Sequence, residues 1–382
     1  MKRFLFIGHD ATRTGAPIVL LHLLRWLRSN NPDWKIDLLL LRGGELEKKY
    51  EKVADVFVLP QNSDPTLFRR GANFLKRKLG ISQKPKLPNL APFSRKYDAV
   101  VGNTIITLEL LECFKQKKLT TFCWVHELDY VVRSIYSDER FFELAQNVDQ
   151  FIVPCKAVDS MLQKFGLAQP RHLVYEFSEA RGRDQGGPIG NEREKLGIPK
   201  AAFGVCGSGT IEWRKGVDLF LQIAKQTAAK CPDIYFVWIR GGSDSENLEY
   251  LRIRHDFDRL GTNGRVILTG VLEEPHKVFS EMHLFALTSR EDPFPLVCLE
   301  AASLGKPIIC FANAGGMPEF VDADAGAIVP YGDIDAFCNK ILDYYGDRVK
   351  LEKAGSAARE KVRSSFSEEI SCSKIREIIS NI

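Results

Sequence analysis

The sequence predicts an α/β protein built from two doubly wound domains. Short β-rich runs alternate with amphipathic helical stretches along most of the 382 residues, a pattern typical of parallel sheets covered by helices on both faces. The alternation occurs in both halves of the chain, and a stretch rich in Gly, Pro and charged residues lies between them. The length is sufficient for two or three domains, each with its own core.

The predicted strands follow one another in two series. The first half has candidate strands at 3–8, 36–41, 56–59, 99–101, 121–124 and 150–153, and the second has them at 203–206, 235–239, 266–268, 284–287, 307–310 and 327–329. Helical patterns fall between most of them, for instance at 17–28 and 107–117. The Gly- and Pro-rich stretch at 178–200 is interpreted as the linker between the domains.

The composition is that of an ordinary soluble globular protein, with 45% apolar and 27% charged residues. No apolar run reaches the roughly 20 residues that a membrane-spanning helix needs, and the first residues do not resemble a secretory signal. The nine cysteines form no Cys-x-x-Cys pair, and several fall in predicted strands or core helices. We therefore expect a reduced, cytoplasmic protein. The seven histidines are scattered, so we expect no metal site, and we also expect no cofactor.

Two carboxylates, Asp292 and Glu300, flank an apolar run that should begin a helix. Pro295 suits the first turn of that helix, and the free N–H groups of Leu296 and Val297 would face a phosphate at its positive end. Glu300 lies one turn further along the same face, where it can accept hydrogen bonds from a ribose, while Asp292 can hold a second polyol. The pattern predicts a sugar-nucleotide site, although an ordinary helix N-terminus also favours acidic residues.

The spacing of these carboxylates resembles the Glu-(seven residues)-Glu motif of family-four retaining glycosyltransferases, the glycosyl transferases group 1. The resemblance implies the GT-B fold, in which two Rossmann-like domains face a cleft. We accordingly expect a first domain at 1–178, a linker at 179–200, a second domain at 201–366 and a terminal helix at 367–382 that packs back on the first domain. Asp292 stands where the family usually has its first Glu, which keeps the charge and removes one methylene.

The loop after the first strand of the second domain resembles the family's Lys-Gly motif, with Lys215 as the match. The resemblance implies that Lys215 neutralises the donor pyrophosphate, where negative charge accumulates as the nucleoside diphosphate departs. The family commonly has an Arg about six residues earlier, and that place falls on Gly209. Arg214 or Arg240 can substitute for it. A solvated basic pair before a helix remains an alternative reading of Arg214 and Lys215.

Two loops of the first domain also carry candidate residues. The loop that contains Thr14, Gly15 and Ala16 lacks the Gly-x-Gly-x-x-Gly spacing of dinucleotide-binding proteins. It resembles the family loop whose Gly-Ala pair lets the backbone approach the donor diphosphate. His126 follows a predicted strand and should emerge at the carboxyl edge of the sheet, where ligands bind. The resemblance implies that it lies near the donor sugar, and Glu127 either orients it or meets the acceptor.

In the second domain, Gly270 and Val271 follow a predicted strand and resemble the family loop that holds the nucleobase through its backbone. Turn chemistry alone also accounts for a Gly at this place.

One basic stretch of the chain does not resemble any part of the family. From 69 to 96 the chain has nine basic residues and no acidic one, so the rest of the chain sums to −5 against a formal charge of +4. The basic residues are Arg69, Arg70, Lys76, Arg77, Lys78, Lys84, Lys86, Arg95 and Lys96. One hypothesis is that 68–96 makes peripheral contact with an anionic membrane, at its inner face for a cytoplasmic protein. A solvated loop is the alternative, and no nucleic-acid-binding motif is present.

Together these motifs predict a retaining glycosyltransferase that moves a hexose-like sugar from a nucleotide sugar to an unidentified carbohydrate or lipid-linked acceptor. The resemblance implies a metal-independent reaction in which the leaving phosphate deprotonates the acceptor hydroxyl. Lys215, His126, Asp292 and Glu300 are the predicted catalytic residues. Two alternatives stay open: a non-catalytic module that binds nucleotide sugars, and an epimerase or phosphorylase on the same fold.

Overall fold

The computed structural model describes residues 2–60, 90–178, 190–239, 248–262 and 264–381. It contains one seven-stranded and one six-stranded sheet. All the strand pairs within both sheets are parallel. Parallel neighbours require crossover connections, which helices supply here. The prediction of two doubly wound α/β domains is confirmed.

The first sheet has the order β3-β2-β1-β4-β5-β6-β7. Its strands are β1 (Arg3–Gly8), β2 (Lys35–Leu40), β3 (Asp55–Val58), β4 (Ala99–Asn103), β5 (Thr120–Trp124), β6 (Gln150–Val153) and β7 (Arg171–Leu173). The chain reverses its direction of travel across the sheet between β1 and β4. In doubly wound folds such a switch point opens a crevice at the carboxyl ends of the strands.

The second sheet has the order β10-β9-β8-β11-β12-β13. Its strands are β8 (Phe203–Ser208), β9 (Ile234–Ile239), β10 (Val266–Leu268), β11 (Leu284–Leu287), β12 (Ile308–Phe311) and β13 (Gly326–Val329). The switch point here lies between β8 and β11. All the predicted strands are present to within two residues at either end, and β7 is an addition at the edge of the first sheet.

Helices cover both faces of each sheet. In the first half they are Gly15–Asn30, Glu47–Tyr50, Leu108–Lys115, Asp129–Ile135, Asp138–Ala145 and Lys156–Lys164, and Glu192–Lys195 follows in the linker. In the second half they are Val217–Lys230, Leu248–Arg259, Pro275–Glu281, Leu296–Ser303, Met317–Val321, Ile334–Gly346, Arg348–Ser365 and Glu368–Ser380. Short 3₁₀ turns occur at Ala91–Phe93, Ile105–Thr107 and Trp213–Lys215.

The last helix, Glu368–Ser380, lies on the first domain. Cys372, Ile375 and Ile379 are fully buried in the same apolar cluster as the helix Gly15–Asn30. The Trp26 indole donates to Glu369 at 2.7 Å. The second half of the chain therefore supplies part of the first domain's core.

In the part of the chain that the structure describes, no helix is long and apolar enough to span a bilayer. All nine cysteines are free thiols, and seven of them are buried.

Candidate functional site

The best-defined polar feature of the second domain is an ion pair at its switch point. Lys215 follows β8, Asp292 follows β11, and the Lys215 Nζ lies 2.5 Å from Asp292 Oδ2. Their side chains are only 14% and 8% exposed. The Ser289 hydroxyl also donates to Asp292, at 3.3 Å. The structure thus brings together the residue predicted to bind the pyrophosphate and the residue predicted to bind the donor sugar, and they form an ion pair.

Glycines shape the loop that carries Lys215. Gly216 has a φ of 64°, and a Cβ on it would lie 2.0 Å from the Thr288 carbonyl oxygen, so only Gly fits there. Gly209 lies against the Lys215 side chain, since a Cβ on it would be 3.3 Å from Lys215 Cδ. Its own φ of 156° also disfavours larger residues. Gly209, which stands in place of the family's Arg, therefore leaves room for the Lys215 side chain to pack against it.

Arg214 is the described candidate for a second cation, because Arg240 lies outside the described residues. Its Nε is bonded to Glu212 at 2.9 Å. Burial raises the pKa of Glu127 in the first domain, and the Arg214 charge is one of the effects that oppose this rise. Next to this loop, the Ser208 hydroxyl is buried and has no hydrogen-bond partner among the described residues. A ligand oxygen at the end of β8 would supply one.

The helix Leu296–Ser303 begins one residue later than predicted. Pro295 is its extended N-cap, with φ −69° and ψ 121°, and no side chain caps the first turn. The amides of Leu296 and Val297 therefore lie at the uncapped helix end. Leu296 packs against the cluster that contains the helix Gly15–Asn30, so this end of the helix faces the first domain. Glu300 lies half-buried one turn further on.

The first domain presents a polar network around His126. Its Nε2 lies 2.8 Å from the Asn103 amide oxygen, and its Nδ1 lies 2.8 Å from Glu176. Trp124 packs against the imidazole with ring centroids 4.7 Å apart. Both ring nitrogens thus lie close to an oxygen, that of Asn103 in a hydrogen bond and that of Glu176 in a contact without hydrogen-bond geometry.

Glu127 does not orient the His126 ring. Its buried carboxylate accepts the backbone N–H groups of His126 at 2.9 Å and Ile105 at 3.2 Å. Burial raises the pKa of Glu127, and the His126 charge, these two hydrogen bonds and Arg214 oppose the rise. The idea that Glu127 orients the imidazole is corrected, since that task falls to Asn103 and Glu176.

Thr14, Gly15 and Ala16 lie at the start of the helix Gly15–Asn30. Thr14 is the extended N-cap and makes no side-chain cap hydrogen bond. A Cβ on Gly15 would meet nothing within 4 Å, so packing within the described residues does not require Gly. The Asn103 amide that holds His126 also donates to the Ala16 carbonyl at 3.1 Å. The two candidate loops of the first domain are therefore joined by one side chain.

His9 and Asp10, which follow β1, were not singled out by the motifs. Burial lowers the pKa of His9. The Asp10 charge opposes this decrease, and the charges of His126 and Arg42 add to it. Its Nδ1 is buried without a hydrogen-bond partner among the described residues. Asp10, Arg42 and four neighbours line a cavity of about 440 Å³ at the ends of β1 and β2. The only feature of the sequence that could have identified His9 and Asp10 was their position directly after the first strand.

Gly270 and Val271 lie in the loop after β10, away from the Lys215–Asp292 pair along the sheet edge. Gly270 has a φ of 72°, and Val271 is 64% exposed. This loop is therefore accessible from solvent at Val271.

Most of the basic stretch at 68–96 lies outside the described residues. Arg95, which is described, bonds to the buried Asp37 at 2.8 Å and lies over the Phe57 ring. Arg95 is therefore already paired within the first domain, and membrane contact by this stretch stays a prediction. In the described ranges no three His, Cys, Asp or Glu side chains cluster as around a metal ion, and metal independence stays a prediction.

Comparison with known proteins agrees with this geometry. Residues 202–347 match the model of the family described as Glycosyl transferases group 1. The chain is 30% identical over 154 residues to a sulfoquinovosyl transferase of Arabidopsis thaliana, and 25% identical over 225 residues to the lipopolysaccharide core biosynthesis glycosyltransferase LpsE of Rhizobium meliloti. These matches cover 39% and 59% of this chain, but only 28% and 62% of the relatives' own lengths.

Solved structures extend the likeness over the whole chain. HepE from Anabaena, in complex with UDP-glucose, superimposes with a TM-score of 0.81 at 18% identity and 100% coverage of both chains. Sucrose-phosphate synthase from Thermosynechococcus elongatus gives a TM-score of 0.77 at 19% identity, with 99% and 98% coverage. At these identities the likeness concerns the fold, which is the GT-B fold that the sequence motifs imply.

Proposed function

We propose, from the premise that the chain belongs to the group 1 glycosyl transferases and has the GT-B fold, that it transfers a hexose-like sugar from a nucleoside-diphosphate sugar to an acceptor hydroxyl. The Lys215–Asp292 ion pair carries this proposal. A cation and a carboxylate meet at 2.5 Å beside an uncapped helix N-terminus. A sugar diphosphate offers both groups new partners, since its phosphates attract Lys215 and its hydroxyls can donate to Asp292.

In the proposed mechanism Lys215 and the amides of Leu296 and Val297 stabilise the charge that develops on the departing diphosphate. Glu300 holds the ribose, and the Gly270–Val271 backbone holds the base. The first domain closes over the donor with the Gly15 loop near the diphosphate and His126 near the sugar. The leaving phosphate oxygen then takes the proton of the acceptor hydroxyl on the same face, so that the sugar keeps its anomeric configuration.

Uridine sugars are the first donors to test, because HepE is described in complex with UDP and with UDP-glucose. The acceptor is proposed to be a glycan or a lipid-linked sugar, as the names of LpsE and of the α-galactosylglucosyldiacylglycerol synthase of Streptococcus pneumoniae suggest.

The test begins with thermal unfolding of the wild type and Glu300→Ala in UDP, GDP, ADP and NAD. A ligand of the native state raises the melting temperature with concentration. We expect one nucleoside diphosphate to stabilise the wild type selectively and the variant much less. Stabilisation by NAD alone would overturn the proposal.

The matching sugar nucleotide is then supplied with candidate acceptors, and NMR follows the anomeric proton of the product. Retained configuration with release of nucleoside diphosphate supports the transferase. Binding without transfer or donor hydrolysis would instead favour a non-catalytic module, for which the neutralised Lys215–Asp292 pair and Gly209 are the motivating observations.

A further inference from the structure

The residue between Arg290 and Asp292 makes a contact that the motifs do not assign. Glu291 belongs to the second domain, yet its carboxylate accepts the backbone N–H of Tyr130 at 3.0 and 3.1 Å and that of Val131 at 3.4 Å. Those amides begin the helix Asp129–Ile135 of the first domain. We propose that Glu291 is a positioning residue: across the cleft, it fixes the position of His126 in the first domain relative to Lys215 in the second. This role rests on the proposed function.

On the second-domain side, Glu291 is tied to the Lys215 loop through its neighbour. Arg290 makes two bonds to Asp218, at 2.8 and 2.6 Å, and a third to the Trp213 carbonyl at 2.8 Å. Its backbone N–H donates to the Arg214 carbonyl at 2.7 Å. The segment that carries Lys215 is thus fixed to Arg290, and Glu291 is the next residue of the chain.

On the first-domain side, the contact lies four residues after His126. Tyr130 and Val131 are joined to it by a short segment whose Glu127 is buried and bonded to backbone. A displacement of these amides therefore shifts the end of β5 and the imidazole with it. Misplacement by about 1 Å can cost about a hundredfold in rate.

Two other contacts join the domains near Glu291. One is polar, since Glu319 accepts the Lys156 N–H at 2.8 Å, and the other is aromatic. The rings of Tyr130 and Trp213 touch across the cleft with centroids 4.9 Å apart, and each residue is 48% exposed. Beside them an interdomain cavity of about 670 Å³, which Glu291 and Asp129 help to line, interrupts the packing. Because the seam is not packed solid here, a discrete hydrogen-bonded contact has more influence on alignment than it would in a continuous interface.

The test compares Glu291→Ala with Glu291→Gln. An amide oxygen can still accept N–H bonds, whereas Ala accepts none. We expect Glu291→Ala to lower kcat about ten- to a hundredfold with donor KM and nucleotide Kd changed less than about threefold, since the donor site stays intact. Glu291→Gln should recover most of the loss. Hydrogen exchange of peptides covering 129–135 should accelerate in Glu291→Ala only.

Glu281→Ala is the matched control. Glu281 likewise accepts two backbone N–H groups, those of Glu192 at 2.9 Å and Arg193 at 2.8 Å, but at the linker. We expect lower stability and unchanged kcat. Wild-type kcat in Glu291→Ala, or unaltered exchange at 129–135, overturns the positioning role alone. If the wild type neither transfers nor hydrolyses any donor, the proposed function fails, and this role fails with it.

Discussion

The two domains use the carboxyl edges of their sheets in different ways. In the second, the residues after β8 and β11, the strands at the switch point, are a charged pair, Lys215 and Asp292. In the first, His126 follows β5, beside the switch point, and its two ring nitrogens lie close to Asn103 and Glu176. Under the proposed function, a pair that can release its partners suits binding and departure of a diphosphate, whereas a ring with an oxygen beside each nitrogen suits orientation. The sheet edge therefore specifies a location, and the side chains determine what each site does.

The largest effect is expected when the cation of the second domain's ion pair is removed. We expect Lys215→Ala to lower kcat/KM for the donor about 10²- to 10³-fold, because charge on the departing diphosphate loses its counter-charge. Initial rates of nucleoside diphosphate release measure the loss. Lys225→Ala, on the exposed face of the helix Val217–Lys230, should keep wild-type rates. Equal losses in both variants would argue against a specific role for Lys215.

The second test asks whether the last helix belongs energetically to the first domain. Ile375 is fully buried in that domain's cluster, whereas Ile370 on the same helix is 45% exposed. Ile375→Ala should reduce the free energy of unfolding by about 2–4 kcal/mol through lost burial and a cavity. Ile370→Ala should change it by less than about 0.5 kcal/mol. Urea unfolding of both variants would show similar losses if the helix were only loosely attached.

A third test concerns the orienting network. Glu176→Ala removes the partner of His126 Nδ1, and we expect kcat to fall about tenfold with nucleotide affinity preserved. Gln150→Ala is the matched control, since Gln150 holds His172 at 2.7 Å on the same sheet. Steady-state kinetics and nucleotide titration separate the two effects. A loss of nucleotide affinity as large as the loss of kcat would contradict a purely orienting role.

The smallest expected effect is on how the free energy of unfolding depends on pH. Burial lowers the pKa of His283 to about 4, and its Nδ1 accepts the Gly204 N–H at 2.9 Å. Between about pH 6.5 and 4 the unfolded state binds a proton that the native state does not, so stability falls as pH falls. The loss from this group should be roughly 1–2 kcal/mol after allowance for solvent.

His283→Asn keeps an oxygen that can accept the Gly204 N–H and has no proton to gain. Urea midpoints measured between pH 7 and 4.5 should therefore decline less steeply in this variant than in the wild type. Parallel pH profiles of the two proteins would exclude His283 as a source of the slope.

Local pattern predicts most of the architecture because a strand buried on both faces is nearly continuous in apolar residues. β7 escapes prediction since it has only three residues, two of them the polar Arg171 and His172. Lys215 and Asp292 can be identified because each stands in a local motif. Glu176 cannot be identified in this way, because it lies 50 positions after His126 in the sequence and follows the strand β7, which was not predicted.

Glu291 illustrates the limit for the site. Its partners, Tyr130 and Val131, lie about 160 positions earlier in the chain, in the other domain. Their meeting depends on the orientation of two folded domains, which no local spacing encodes.

The docking of Glu368–Ser380 on the first domain has a consequence for synthesis of the chain. Domains generally fold as units while the ribosome is still working, and the second domain's strands are complete by Val329. The first domain, although made earlier, lacks the apolar side chains of Cys372, Ile375 and Ile379 until those residues leave the exit tunnel. The half of the molecule that is translated first therefore completes its apolar core only after the strands of the second half have been made.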